Sequence, residues 1–240
     1  MRTRMKTAFF IALLVVMPGC QTTIHDKTPQ EMLSLTVAGL AAVDRYTFTG
    51  TTAIYGADAS SAKPITFQGS VEDHNRVQVQ SSEMTATANI VHHPYSLLKQ
   101  IEDTANTTEE IAALSSDRTA VLRIEADQAA ARRKWITEMN EAFERSVKDD
   151  KTAADGHRRL TVNESSRSDY EQERATEISR LRKQLGEMLH SLEVQTSYRL
   201  VVDRKRLLPL KLQEHTVLQY KVEGQSQREE RKAELAFITD

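Results

Sequence analysis

The position of the single cysteine is the strongest chemical signal in this sequence. Cys20 follows a short basic segment and an uninterrupted apolar run from Ala8 to Met17. A run of this length is about half of what a helix needs to cross a membrane, and it is typical of a secretory signal peptide. An unpaired thiol is unusual in an exported protein, because oxidising compartments pair cysteines. We therefore expect export, and a role for Cys20 other than in a disulfide.

The residues around Cys20 resemble the lipobox of bacterial lipoproteins, although Met17 and Pro18 stand where that motif usually has leucine and a small residue. The resemblance implies that residues 1–19 are a lipoprotein signal peptide and that residues 20–28 are a tether lipidated at Cys20. Acyl chains such as palmitate would then hold the protein on the extracytoplasmic face of the bacterial cell membrane without a transmembrane helix. The alternative is an ordinary secretory signal that leaves a free thiol.

Other reactive residue types do not form a catalytic or metal-binding pattern. His92 and His93 are adjacent, so that on a strand they would point to opposite faces, and no cysteine or carboxylate stands at ligand spacing beside them. Paired carboxylates such as Asp149 and Asp150 are typical of solvated surfaces. The sequence contains neither a serine elbow motif nor a glycine-rich phosphate loop. We predict a protein that is not an enzyme and that uses no metal or cofactor.

Composition limits the partners that the chain can bind. The formal net charge of the 240 residues is −2, which gives no electrostatic reason to bind nucleic acid or an anionic membrane surface. Hydrophobic residues make up 39% of the chain, enough for a core, and the 28% of charged residues predict much solvated helix. We therefore expect no nucleic-acid partner.

The hydrophobic periodicity changes along the chain in a way that predicts an α+β fold. Apolar residues recur at helical spacing, whereas other segments alternate as half-buried strands do. Residues 148–168 have no apolar periodicity, and we predict a flexible connection there. Strands that follow one another through short turns, interrupted by helices, favour an antiparallel sheet with helices on one face. The predicted helices begin near Pro29, Pro94, Asp127 and Asp169, and the predicted strands are 46–55, 65–72, 76–81, 84–91, 118–127, 197–203, 207–224 and 228–239.

Three segments resemble the LolA-like and LppX-like lipoprotein superfamily. They are YTFTGTTAIYG and ITFQGSVE near the start, and YRLVVDRKRLLPLKLQEHTV near the end. The resemblance implies a strongly curved antiparallel sheet, a half-barrel wrapped around or packed on helices. It covers residues 32–91 and 197–240, and it predicts a single domain over residues 29–240. The charged helical stretch around residues 148–192 departs from the superfamily pattern and is interpreted as a partly flexible insertion.

Two functions remain open at this point. The first is that the protein binds or carries a hydrophobic ligand, such as a lipid or an acyl chain, between the sheet and the helices. The second is a non-catalytic interaction or sensory module that docks another cell-envelope protein. An apolar cavity of roughly 300 Å³ or more favours the first, and a filled core beside an exposed apolar patch favours the second. The residues expected to line a ligand cavity are Tyr46, Phe48, Ile54, Phe67, Val77, Val79, Trp135 and Met139.

Two amphipathic stripes carry several interpretations. One runs from Trp135 to Phe143 and is expected to pack against the sheet, although a helix touching the membrane is the alternative. The other repeats apolar residues from Ile178 to Leu192. This second stripe could cover the core, close a cavity or form the docking surface for a partner.

Overall fold

The computed structural model describes residues 27–56, 63–74, 76–81, 93–157 and 164–239. Over 149–157 and 164–168 it describes the backbone only. The predicted signal peptide, the predicted lipidation site and the predicted strand at 84–91 lie outside the described residues. The described helices are α1 (Pro29–Ala41), α2 (Pro94–Thr104), α3 (Gln128–His157) and α4 (Glu164–His190). The described strands are β1 (Tyr46–Tyr55), β2 (Ile65–Glu72), β3 (Arg76–Ser81), β4 (Ala105–Glu110), β5 (Thr119–Ala126), β6 (Glu193–Asp203), β7 (Leu208–Val222) and β8 (Gln225–Ile238).

The eight strands form one curved antiparallel sheet that does not close into a barrel. Their order is β3-β2-β1-β8-β7-β6-β5-β4, so that the first and last strands of the chain pair in the middle. The early hairpin is confirmed, with Tyr46 opposite Val71 and Thr52 opposite Ile65. The predicted meander of β6, β7 and β8 is also confirmed. The α+β fold class predicted from the sequence is therefore correct.

The first helix starts where local chemistry dictates. The Thr28 hydroxyl accepts a hydrogen bond from the Glu31 amide at 3.2 Å, and the Glu31 carboxylate accepts one from the Thr28 amide at 2.8 Å. This reciprocal capping box, with Pro29 at the first helical position, satisfies amides that a helix start leaves unpaired. The hydrogen bonds from Thr28 also lower the pKa of Glu31.

The helices pack on one face of the sheet in two groups. α1 and α2 cover one region through a cluster that includes the fully buried Leu33, Leu98 and Leu200. The ends of α3 and α4 that adjoin the sheet cover another region through a smaller cluster around Leu192. Two separate apolar clusters on one sheet face leave a boundary between them, and this boundary is polar.

Three boundaries differ from those predicted by five residues or more. The segment after Pro94 stops being helical at Thr104 and continues as the edge strand β4, whose exposed face carries none of the apolar alternation that marks a half-buried strand. α3 continues ten residues beyond the predicted end at Val147, and α4 begins five residues earlier than predicted. Residues 148–157 and 164–168, which were predicted to lie in the connection between two helices, are therefore helical. This stretch has no apolar stripe in the sequence, so periodicity gave no helical signal for it.

Candidate functional site

The residues predicted to line a ligand cavity do not come together in one place. Tyr46 and Phe48 are buried in the cluster under α1 and α2, and Phe67, Val77 and Val79 pack against its edge. The remaining three lie elsewhere. Trp135 and Met139 lie beside the smaller cluster. Ile54 lies on the helix-facing side of β1, with 40% of its surface exposed.

The boundary between the two clusters is occupied by a buried ion pair. The side chains of Glu214 on β7 and Arg231 on β8 are 6% and 3% exposed and form a salt bridge. Thr216 donates a hydrogen bond of 2.9 Å to the Glu214 carboxylate and lies 3.0 Å from the hydroxyl of Thr196. The Trp135 ring of α3 covers the Arg231 guanidinium at 4.7 Å, a cation–π contact that ties α3 to the sheet.

The electrostatics of this pair favour its charged form. Burial alone would raise the pKa of Glu214, but the charge of Arg231 and the hydrogen bonds from Arg231 and Thr216 outweigh it. The pKa of Glu214 therefore lies below its ordinary value. Burial also raises the pKa of the neighbouring Tyr198 phenol, which stays neutral. The cavity beside these groups has a volume of about 20 Å³, room for roughly one water molecule and not for an acyl chain.

The polar cleft on the opposite face of the sheet has a volume of about 460 Å³. Ion pairs cross this face, including Lys211 with Glu234 at 2.7 Å and His215 with Glu230 at 3.2 Å. All four side chains are at least a quarter exposed, as expected for a solvated sheet surface. This cleft shows no arrangement that sets it apart from an ordinary surface.

A helical hairpin formed by α3 and α4 extends beyond the sheet. Its base is held by Arg132, which donates hydrogen bonds to the carbonyls of Leu192 at 2.7 Å and Leu189 at 3.1 Å. Gln184 donates to the Glu223 carboxylate in the β7–β8 turn at 3.3 Å. From Gln184 back to its start at residue 164, α4 is about 30 Å long, because a helix rises ~1.5 Å per residue.

The projecting part of this hairpin has no core of its own among the described side chains. None of those at positions 140–148 and 169–184 is buried. Polar contacts hold the two helices together: Arg182 pairs with Glu144 at 2.8 Å and lies over the Phe143 ring, and Arg174 donates to the Val147 carbonyl at 3.0 Å. Exposed pairs of this kind contribute little stability, so the hairpin is held weakly outside its base.

A large apolar groove lies between α3, α4 and the end of β7. Its volume is about 1040 Å³, at the upper end of the range of ligand pockets. Three of its apolar side chains, Tyr170, Leu181 and Val222, are 45%, 40% and 36% exposed. The apolar residues of the groove are Phe143, Val147, Tyr170, Ile178, Leu181, Leu185, Met188 and Val222. This groove is the candidate functional site.

The sequence pointed to the groove but missed the ion pair. The stripe from Ile178 to Leu192 supplies four of the five apolar residues with which α4 lines the groove, whereas Leu192 belongs to the smaller cluster on the sheet. Glu214 and Arg231 occupy helix-facing positions of strands that otherwise alternate, with Leu212 and Leu235 on the same face. A charged residue at a core-facing position was the available signal for this pair.

Comparisons with known proteins do not place the chain in a family: no family model matches it, and no curated protein matches it. Within the described residues, no three histidine, cysteine or carboxylate side chains are grouped to hold a metal ion. Among the helices that the structure describes, none is long and apolar enough to cross a membrane.

Proposed function

We propose that this protein is a non-catalytic interaction module of the bacterial cell envelope, lipid-anchored through Cys20, that docks a protein partner in the groove of its helical hairpin. The observation that carries this proposal is an apolar groove of about 1040 Å³ on a hairpin whose projecting part has no buried side chain among those described. Two helices alone bury only a narrow stripe, and a further helix in the groove would complete a bundle.

The rest of the domain supports a docking role. The space between the sheet and the helices is filled at the buried ion pair, which leaves a cavity of only about 20 Å³ there. Exposed apolar side chains gathered in one groove are typical of interaction sites. The predicted lipid on Cys20 and the predicted relation to the LolA-like and LppX-like superfamily agree with a protein that works at the membrane surface and meets its partner there.

Site-specific photocrosslinking in cells tests this proposal. A benzoylphenylalanine replaces Leu181 in the full-length lipoprotein, and a matched control places it at Ala175, an exposed position on the far side of α4. Irradiation is expected to give a discrete adduct from position 181 and none from position 175. Absence of any adduct from position 181, with normal levels of protein in the membrane, contradicts the proposal.

A hydrophobic ligand in the same groove is the second candidate. The volume of the groove and its apolar walls favour it, because an acyl chain would be covered along much of its length. Native mass spectrometry of the membrane-purified protein would then detect a bound lipid in addition to the anchor, and Leu181→Asp would release it. A spectrum free of additional lipid, together with no uptake of a fluorescent fatty acid, excludes this candidate.

A further inference from the structure

The exposed face of α4 carries a regular repeat that the proposed docking role does not explain by itself. Six residues of α4 follow one another at alternating intervals of four and three positions and all line the groove: Tyr170, Arg174, Glu177, Leu181, Gln184 and Met188. We call them the outer seam. Alternating intervals of three and four are the spacing of the contact positions in a coiled coil. Leu189 at the end of α4 and Leu192 just after it belong to the smaller cluster and lie outside this seam, and Met188 at the end of the seam packs against that cluster.

From this seam we infer that the protein partner of the groove is the α4 helix of a second copy of this chain, packed antiparallel. This inference rests on the proposed docking function and names its partner. A two-fold axis between positions 175 and 176 sets Tyr170 opposite Leu181 of the second copy, and Arg174 opposite Glu177 of the second copy. Because the two-fold axis repeats each contact, the interface has two central layers of Arg174 with Glu177, flanked by two layers of Tyr170 with Leu181. Such self-complementarity is what a symmetric dimer interface requires.

The charges that flank the seam favour the antiparallel direction. Glu171 and Glu173 flank it in the first half of α4, and Arg180 flanks it in the second half. Antiparallel packing places the carboxylate of Glu173 near Arg180 of the second copy, whereas parallel packing in register would set like charges together.

The contacts within one copy are compatible with this packing. Glu177 already accepts hydrogen bonds from Arg180 at 2.6 and 2.8 Å, and a carboxylate has further lone pairs for the Arg174 of a second copy. Arg174 donates to the Val147 carbonyl at 3.0 Å, and its guanidinium carries five N–H donors in all.

Paired cysteines test the register directly in the membrane-bound full-length protein. In the variant Tyr170→Cys with Leu181→Cys, the two positions are eleven residues apart, about 16 Å along one helix, too far for a disulfide within one chain. Between two antiparallel copies the same positions face each other. Mild oxidation is therefore expected to link most of the protein into a dimer on a non-reducing gel.

The matched control is Ala175→Cys with Gly186→Cys. These positions have the same spacing, are both exposed and lie on the far side of α4 from the seam. A side chain at Gly186 meets no other atom within 4 Å, so the control is expected to fold normally. On the non-reducing gel this control should run as a single chain after oxidation. Any dimer that it does form measures linkage that does not depend on the seam, including linkage through Cys20. Equal dimer yields from both variants, or no dimer from the seam variant, overturn the inference.

A charge exchange tests the central layers. Arg174→Glu or Glu177→Arg alone is expected to weaken the dimer about tenfold in sedimentation equilibrium, because each puts like charges together in both layers. The double variant restores opposite charges and should recover most of the affinity. Circular dichroism of each variant reports whether the helices remain formed. No recovery in a helical double variant contradicts this layer assignment.

The photocrosslinking experiment separates this inference from the proposed function. An adduct from position 181 at twice the mass of the chain supports both. An adduct with a different protein, beside a monomer in sedimentation equilibrium, keeps the docking function and overturns the second copy as its partner. No adduct at all overturns both.

Discussion

The ion pair between Glu214 and Arg231 is the most consequential polar contact between the two apolar clusters. Replacing Glu214 by Gln removes one charge and leaves Arg231, whose side chain is 3% exposed, without its counterion. An uncompensated buried charge of this kind costs about 3–5 kcal/mol, because the remaining ion is still desolvated. The hydrogen bond from Thr216 can persist to the amide oxygen, so we expect about 3 kcal/mol.

Glu234→Gln is a matched control for this change. Glu234 lies on the other face of the same sheet, where it pairs with Lys211 and both side chains are about 40% exposed. The loss of an exposed pair costs about 0–1 kcal/mol. Urea denaturation followed by circular dichroism measures the free energy of unfolding of both variants. A cost for Glu214→Gln that is no larger than that of the control would refute the claim that the pair is buried and mutually dependent.

The same pair predicts how stability depends on pH. The pKa of Glu214 is lower in the folded protein than its ordinary value of 4.5. The stabilisation from its ionisation is therefore complete above the unfolded pKa and is lost as the pH falls through the folded one. Wild type should lose stability more steeply than Glu214→Gln on acidification below about pH 4.5. Parallel pH profiles for the two proteins would show that Glu214 contributes no proton linkage.

Further substitutions separate local structure from binding. Thr28→Ala removes the cap of α1 and should lower the free energy of unfolding by about 1 kcal/mol in urea denaturation. Gly50→Ala would place a Cβ 2.6 Å from the backbone oxygen of Glu234 and should lower the free energy of unfolding by about 1–3 kcal/mol. Gly186→Ala, with open space around the new Cβ, should raise it by up to about 1 kcal/mol because alanine favours helix α4. Leu181→Asp should change the free energy of unfolding by less than about 1 kcal/mol, because the side chain is 40% exposed, and yet abolish the dimer in sedimentation equilibrium. Ala175→Asp should leave the dimer intact.

The β hairpins and the first helix were predictable because their signals are local. Strand alternation around Tyr46 and the helical spacing of apolar residues after Pro29 are read within a few positions, and the structure has both elements where expected. The edge strand β4 was not, because none of its side chains is buried and no core selects apolar residues there. The end of α3 was not, because residues 148–157 show no apolar periodicity in the sequence. Burial of Glu214 depends on how α3 crosses the sheet, and its one local sign is a charged residue at a helix-facing position of β7.

The candidate site was only partly predictable, for a related reason. The apolar stripe on α4 was visible, but periodicity cannot say whether a stripe faces the sheet or a groove. The structure divides it: Leu189 and Leu192 bind the sheet, whereas Leu181 on the outer side stays 40% exposed. The predicted cavity residues failed to converge because Trp135 packs on an ion pair and not on Phe48.

The proposed dimer and the proposed anchor constrain each other. Two lipid anchors can enter the same leaflet only if the two-fold axis of the dimer stands along the membrane normal. Antiparallel α4 helices cross such an axis at right angles, so they would lie along the membrane plane. The tether of residues 20–28 spans at most about 30 Å when extended, which keeps each domain close to the surface. Dimerisation would therefore fix the direction in which each domain faces, whereas a single tethered copy would be free to turn.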